Sequence, residues 1–526
     1  MVEAIKDLLS RYSKKIENRE DLEGIKRLIC KKYKLGALLN SDILGEYRNL
    51  LMQNKILPNL ALESLLRKRS VRTLSGIAPV AVLTKSYPCP GTCAYCPHES
   101  DVPASYLSNE PAVMRAIRCG YNPYKQVISR LRALENNGHE PTKIEIIVIG
   151  GTWSYLPTKY KYWYILNCFK AANDYQKKKV NLKDLYPQKL SLDNLKKLLI
   201  KEQKKNETAK YNIIGLTLET RPDYIDQKEL EEMRIFGCTR VEIGVQAVDD
   251  KILELNKRGH GVKEITEATK LLKQYGFKVT YHLMPALPGA TPKKDLKMFA
   301  QLFSDDRYQP DQIKFYPTVV TKGSLLYKWY KAGKYKPYSD TVLQKLIVDC
   351  KALVPPYIRI IRLIRDIPEE SIIAGNKITN LRQIMQARGV KCNCIRCREV
   401  KDGKIGPEKI NIIKYPASGG EEYFLSADSQ DNKTLYGFCR LRIDDNSPIA
   451  PALIRELHVY GKLVSIGNEK KVQHSGLGKK LLAFAESLAH KNKVKKIAII
   501  SGVGVRGYYQ KRGYKLLGNY MVKDLV

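Results

Sequence analysis

The sequence predicts an α/β protein: a partial, TIM-like parallel β/α barrel, then a smaller mixed α/β domain, with a basic helical region in front. Three observations carry this. Over residues 78–366, short apolar or β-branched runs alternate with longer amphipathic stretches, the order that builds parallel β/α units. Over residues 410–526, several strand-like runs surround one amphipathic helix. At the start of the chain, apolar residues recur at helical spacing, at Ile5, Leu8, Leu9 and Tyr12 and again at Ile25, Leu28 and Ile29. The 526 residues divide at 1–75, 76–370, 371–408 and 409–526, in keeping with roughly 100–200 residues per domain.

The first region carries 16 Lys and Arg against 9 acids and ends in the run Leu65-Leu-Arg-Lys-Arg-Ser-Val-Arg72. That run reads either as a solvated helix face or as an RNA-binding arm. The imbalance extends along the chain, where 91 basic residues against 54 acidic ones leave a net charge of +37. Net charge speaks to partners rather than to fold. Lys enrichment for thermal stability comes with matching Glu, which is missing here. A polyanion held through its phosphates is therefore the favoured partner, ahead of a membrane surface. No segment is apolar over the length of a membrane span, about 18 residues. Met1 to Ser10 holds Glu3, Lys6 and Asp7 in place of a signal-peptide core. A cytoplasmic protein is expected, with no membrane partner.

Six barrel strands are readable, at 80–84, 144–149, 213–218, 240–245, 278–283 and 312–316, with a helix at 262–274. The Lys-rich stretches 176–179 and 201–210 read as solvated loops. Twelve cysteines in so long a chain argue against a disulfide framework. Cys30, Cys119, Cys168, Cys238, Cys350 and Cys439 are scattered and read as small buried hydrophobes. The other six form two tight clusters.

The first cluster, Cys89-Pro-Gly-Thr-Cys93-Ala-Tyr-Cys96, follows the first strand with C-x3-C-x2-C spacing. Three thiolates can hold three irons of a 4Fe–4S cluster and leave the fourth iron open. S-adenosylmethionine (SAM) can chelate that iron, and one electron from a donor then cleaves it to a 5′-deoxyadenosyl radical. The alternative is zinc, with His98 as a fourth ligand. The spacing and its place at the head of a β/α array resemble the radical SAM superfamily. Gly150, Gly151 and Thr152 end the strand at 144–149. Glycines there let the backbone approach the SAM amino group, although a paired glycine is often only a turn. Gly215-Leu-Thr-Leu-Glu219-Thr-Arg221-Pro-Asp223 sets a carboxylate and a guanidinium at a strand's C-terminal end, where barrel active sites gather; a surface ion pair is the alternative. Gln246 and His282 repeat the strand-end pattern, and Gln246 reads equally well as structural.

The second cluster, Cys392-Asn-Cys394-Ile-Arg-Cys397, lies in a basic linker with Arg388, Lys391, Arg396 and Arg398 around it. A structural zinc clipping two domains together is favoured over a second iron–sulfur cluster. The fourth ligand is not readable.

In the last domain, Glu456, Leu457, His458 and Val459 read as a strand, followed by Gln473-His-Ser-Gly476-Leu477-Gly478-Lys479 and a helix with Leu481, Leu482, Phe484, Ala485, Leu488 and Ala489 on one face. Glycines at a helix N-terminus offer backbone N–H groups to a pyrophosphate. Q-x-x-G-x-G-K after a strand resembles the coenzyme A motif of the GNAT acetyltransferases. The strand at 496–500 and the pair Tyr508 and Tyr509 follow in that family's order. Taken alone, the tyrosines would read as packing residues.

Across both domains the chain resembles the family of Elongator catalytic subunits, which are tRNA wobble-uridine carboxymethyl synthases. The likeness runs from about residue 70 to the end and rests on Asn109-Glu-Pro-Ala-Val-Met-Arg-Ala-Ile117, Lys143, Leu218-Glu-Thr-Arg-Pro-Asp223, Asn256-Lys-Arg-Gly-His260, Arg455-Glu-Leu-His-Val-Tyr-Gly461 and Tyr520-Met-Val-Lys523. The resemblance implies that acetyl-CoA is hydrolysed in a tRNA-dependent way. It implies further that the SAM radical takes hydrogen from the acetyl methyl, and that the carbon radical adds to C5 of uridine 34 in the anticodon stem-loop. By position, Lys143, Glu456 to Val459, Leu477 to Lys479 and Tyr509 would bind acetyl-CoA, and Lys143, Glu219, Tyr508 and Tyr509 are the candidate catalytic groups. Many relatives have a longer gap between the first two cysteines; the short gap here matches the wider superfamily, and Cys89 keeps its assignment as a ligand. A homodimer stays open. The rival readings are a protein lysine acetyltransferase with a structural iron–sulfur cluster and a tRNA-binding scaffold that only senses acetyl-CoA.

Overall fold

The computed structural model describes residues 1–67, 76–175, 185–378, 380–400, 406–460 and 476–525. Lys68 to Arg72 of the basic run, the stretch 176–179 and Gln473 lie outside these residues.

At the N-terminus, helices Arg19–Lys32, Asn40–Met52 and Leu60–Leu66 pack with the opening helical segment around Ile5, Leu8, Leu9, Leu22, Ile29, Ile43 and Tyr47. Asn18 starts the first of these three with a capping box, its side chain accepting from Glu20 and Asp21 while Asp21 accepts from the Asn18 N–H. Leu28 departs from the sequence reading. It is half exposed, because the buried stripe runs through Leu22, Ile25 and Ile29. Arg48 and Arg67 tie this unit to the barrel by donating to the carbonyls of Glu135 and Gly138, at 2.6 and 2.8 Å.

The barrel sheet takes β1 (Ile77–Leu83), β2 (Lys143–Ile149), β3 (Asn212–Thr220), β4 (Arg240–Gln246), β5 (Lys278–Leu283), β6 (Gln312–Phe315) and, after the short excursion of β7 (Val320–Thr321), β8 (Arg359–Arg362). All seven strands of the sheet are parallel and neighbours in that order, and β1 and β8 are its free edges. β7 pairs instead with β9 (Ile372–Ala374). β8 is absent from the sequence reading, because Arg-Ile-Ile-Arg carries no apolar run. The stretch 201–210, read as a loop, is corrected: helix Leu192–Asn206 runs through its first half and buries Glu202, Gln203 and Asn206.

The last unit is one mixed sheet, β10 (Glu408–Ala417), β11 (Gly420–Ser429), β12 (Leu435–Ile443), β13 (Ala452–Val459), β14 (Lys496–Ile499), β15 (Lys515–Leu517) and β16 (Tyr520–Asp524), ordered β10-β11-β12-β13-β14-β16-β15. Within it, only β13 and β14 pair in parallel, and that pairing stops at Ile454 and Ile499. β14 ends at that point, so among the described residues Arg455 to Val459, half of β13, have no strand partner on that side.

Barrel and last sheet share one hydrophobic core and one buried charge network. Lys273 and Asp311 of the barrel interleave with Glu422, Arg440, Arg442 and Arg455, all buried. Arg455 donates to both oxygens of Asp311, at 2.9 and 2.5 Å, and to Glu422 at 3.1 Å. Such burial is tolerated because each charge meets an opposite one. A side chain at Gly502 would collide with the Ile214 carbonyl on β3, so glycine permits this close backbone contact between the units.

Candidate active site

One cavity of about 780 Å³ runs through the barrel. Its upper end is the loop that follows β1. Cys93 is buried, Cys96 half-buried and Cys89 exposed, and all three line the cavity with Gly151, Thr152, Glu219, Arg221, Gln246 and Arg258. The loop is pinned from both sides by backbone bonds, Ala94 to Asn256 at 3.0 Å and Leu326 to Ala94 at 2.7 Å. The Cys93 thiol is pulled down to about 4 by its hydrogen bond with Cys96 and by the nearby Arg258 charge, against the opposing effect of burial. The same hydrogen bond, together with burial, pushes Cys96 up.

The donor set bears on the two metal readings. Among the described residues, Cys89, Cys93, Cys96 and His98 do not form a group with ligand atoms within 4.8 Å of one another, whereas Cys392, Cys394 and Cys397 do. A tetrahedral ion needs the compact set, and a four-iron cluster holds its sulfurs further apart. Cys93 and Cys96 are hydrogen-bonded to each other and Cys89 is exposed further along the loop, and three thiolates on a cavity wall suit a cluster with one open iron. Gly151, at φ +98°, has open space beside it apart from the Ala104 carbonyl at 3.9 Å. Gly150, at φ +135°, is elsewhere: a Cβ there would collide with Thr84, so its glycine serves the packing of β1 against β2.

Mid-cavity, the inward faces of β3 to β6 carry Glu219, Glu242, His282 and Lys314. Lys314 makes a close ion pair with Glu242 and reaches Glu219 at 3.5 Å, His282 Nε2 lies 2.8 Å from Glu242, and Tyr106 donates to Glu219 at 2.8 Å. Burial alone would raise the Glu242 carboxyl, but Lys314, His282 and Arg240 hold it well below its usual range. Two carboxylates and a histidine within reach of one ion are thus already served by the lysine ammonium. Lys314 was missed in the sequence; its signal is a charged residue between Ile313 and Phe315 within a strand. Gln246 ends β4 with φ +68° and a buried Oε1 that has no partner among the described residues, a costly conformation of the kind that collects at functional sites.

The lower end is where strand beginnings meet β13. Glu145, Arg240, Lys278, Gln312 and Arg359 face Glu456, His458 and Tyr460. Lys278 lies 3.3 Å and Arg440 3.1 Å from Glu456, and these two charges overcome burial to hold that carboxyl at about 2. His458 stacks on Phe438 and contacts Tyr460, at ring distances of 6.0 and 4.2 Å. Burial pushes it down to about 3, and its Nε2 is buried without a partner among the described residues, so it is a neutral imidazole with a nitrogen left free by them. Lys143 begins β2, half-buried, with no ion pair among the described residues, and burial lowers it.

Beside β13, Gly476 caps helix Leu477–Lys491 at φ +77°. A Cβ at Gly478 would lie 3.0 Å from the Tyr508 hydroxyl and 3.6 Å from Val459, so strand, glycine turn and Tyr508 converge. Leu477 is buried, Leu457 half-buried and Lys479 exposed. Tyr509 is buried against Tyr508 and Tyr514, which raises its hydroxyl. The second cysteine triad sits apart, between the barrel's last strand and the C-terminal sheet. Ile395 bonds the Ile358 carbonyl at 2.9 Å and Arg398 bonds Asp428 at 2.7 Å.

Comparison with known proteins matches residues 84–302 to the radical SAM superfamily and 310–389 to the Radical SAM C-terminal domain. A radical SAM domain implies a 4Fe–4S cluster and SAM. The chain is 45% identical to the tRNA uridine(34) acetyltransferase of Dehalococcoides mccartyi over 87% of this chain and 100% of that protein. It is 40% identical to Elongator complex protein 3 of Schizosaccharomyces pombe over 88% of each. The solved structure of archaeal Methanocaldococcus infernus Elp3 with an N-terminal deletion is 37% identical, with a TM-score of 0.72 over 86% of this chain and 100% of that one.

Proposed function

The chain belongs to the family of tRNA uridine(34) acetyltransferases and Elongator complex protein 3, and from that premise we propose that it is an acyltransferase enzyme forming 5-carboxymethyluridine at the wobble position of tRNA from acetyl-CoA. The observation that carries the proposal is the single cavity joining the Cys89, Cys93 and Cys96 triad to β13. An acetyl group held at one end and a reactive centre at the other then share one chamber. When bound at the open iron, SAM supplies a carbon radical able to take hydrogen from a methyl group.

The chain's own residues divide the work. The unpaired half of β13, from Glu456 to Val459, offers backbone groups to the pantetheine arm. Gly476 to Lys479 give the pyrophosphate a helix N-terminus, with Gln473 in the segment just before it. The Lys143 cation adds a charge at the barrel side. A neutral His458 keeps a free ring nitrogen for the thioester or for the water that attacks it, and Tyr508 stands over the glycine turn with Tyr509 packed behind it. Glu219 belongs to the mid-cavity set through which the uracil edge would be read. The net charge of +37 suits the phosphates of the anticodon stem-loop, and an external one-electron donor is required. Cys392, Cys394 and Cys397 would hold a structural zinc. No helix of the described residues is long and apolar enough to cross a membrane.

The test is mass spectrometry of nucleosides from wobble-uridine tRNA incubated anaerobically with reconstituted protein, reductant, SAM and acetyl-CoA. 5-Carboxymethyluridine is expected only with all components present. Acetylated protein lysines without modified uridine would overturn the proposal in favour of a lysine acetyltransferase.

A further inference from the structure

Arg221 and Arg258 are buried beside Cys93, with 5% and 6% of their surface exposed. Arg258 Nη1 lies 3.2 Å and Arg221 Nη1 4.0 Å from Cys93 Sγ. The space they occupy is built. A Cβ at Gly91 would collide with Arg221 Nη1, and one at Gly244 would sit 2.5 Å from Arg258 Nη2. Neither glycine has a positive φ, so backbone conformation does not explain them; room for the guanidinium groups does. A Cβ at Gly259, on a third segment, would come within 3.2 Å of Arg221 Nη2.

The two arginines differ in how their charge is met. Arg221 is paired with Asp223, at 2.9 and 2.7 Å, and donates to the Arg258 carbonyl at 2.9 Å, so it braces its neighbour. Arg258 donates to the Gly244 carbonyl and to Cys93, its Nε is buried without a partner, and it makes no ion pair with a carboxylate among the described residues. A buried guanidinium without an anion is strongly unfavourable. The anion on offer is the Cys93 thiolate.

We propose that Arg258, braced by Arg221, is a positioning residue that raises the reduction potential of the cluster held by Cys89, Cys93 and Cys96. A four-iron core of charge 2+ with three thiolates carries a net charge of −1. One electron from an external reductant takes the core to 1+ and the whole to −2. A cation on a ligand sulfur stabilises the second state more than the first, and N–H···S bonds act in the same direction. Arg258 thereby brings the cluster within reach of its electron donor. The inference rests on the radical SAM domain and not on the RNA product.

The experiment is an EPR-monitored redox titration of full-length protein, reconstituted anaerobically, without SAM, acetyl-CoA or tRNA, with iron counted per chain. Arg258→Gln should shift the midpoint negative by at least about 59 mV, a tenfold change in a one-electron equilibrium, at wild-type iron content. Arg258→Lys should recover part of that shift. A wild-type midpoint in Arg258→Gln with full iron overturns the proposal. If that variant loads too little iron, Gly244→Ala decides: it displaces the guanidinium tip and keeps the arginine. A negative shift there supports the proposal and an unchanged midpoint overturns it. No outcome depends on product formation, so failure of the proposed tRNA reaction leaves this reading standing or falling by itself.

Discussion

The two cysteine triads have the same number of sulfurs and opposite surroundings. Cys392, Cys394 and Cys397 converge within 4.8 Å, between the barrel's last strand and the C-terminal sheet. Cys89, Cys93 and Cys96 do not converge as a set of three and lie along a loop on the wall of a 780 Å³ cavity. Four-coordinate closure satisfies a structural metal, whereas chemistry needs an open position and space in front of it. The difference also separates the loads the two sites bear. The compact triad stands in a joint between domains, and the other in a chamber that the surrounding strands would hold without it.

Two substitutions sharpen that contrast in opposite directions. Cys96→Ala should abolish modified uridine and iron loading while leaving the thermal midpoint close to wild type, measured by nucleoside mass spectrometry, iron content and calorimetry. A large drop in midpoint would mean that the upper loop also holds the fold. Cys394→Ser should give the reverse pattern: iron retained, the proposed zinc lost, and unfolding easier by roughly 3 kcal/mol, at the upper end of the usual range for one substitution. Full retention of zinc, or no change in unfolding, would break the comparison at its structural end.

The sequence made some of this visible and hid the rest for definite reasons. β2 is readable as a run of Ile and Val followed by Gly150, β4 because Val241, Ile243 and Val245 alternate along it before Gln246, and helix Val262–Gln274 because its apolar residues keep one face. β8 is hidden because two of its four residues are arginines that the barrel turns inward or to its rim. The cysteine spacings are local, so both triads can be read directly. Arg258 beside Cys93 joins positions 165 residues apart, and no local pattern reports such a contact. Lys314 looks like a solvated lysine until β3, β4 and β5 bring Glu219, Glu242 and His282 around it.

The smallest expected effect lies at a feature the triads share. Lys351, on helix Asp340–Ala352, is 1% exposed and places its ammonium 4.0 Å from Cys397 Sγ, much as Arg258 stands at Cys93. Three thiolates around a divalent ion leave an excess negative charge, and a buried cation offsets it. A group acting on a metal through its ligands typically changes metal affinity 10–100-fold, by about 1.4–2.8 kcal/mol. Lys351→Met keeps the length and packing of the side chain and removes the charge, so zinc affinity measured by chelator competition should fall by about that factor. Iron content and the cluster's midpoint should stay at wild type, since the two triads occupy separate sites. Equal zinc affinity in the variant would mean that the triad's charge is balanced elsewhere, with Arg382 and Arg396 as the nearest candidates because each acts electrostatically on its neighbours there.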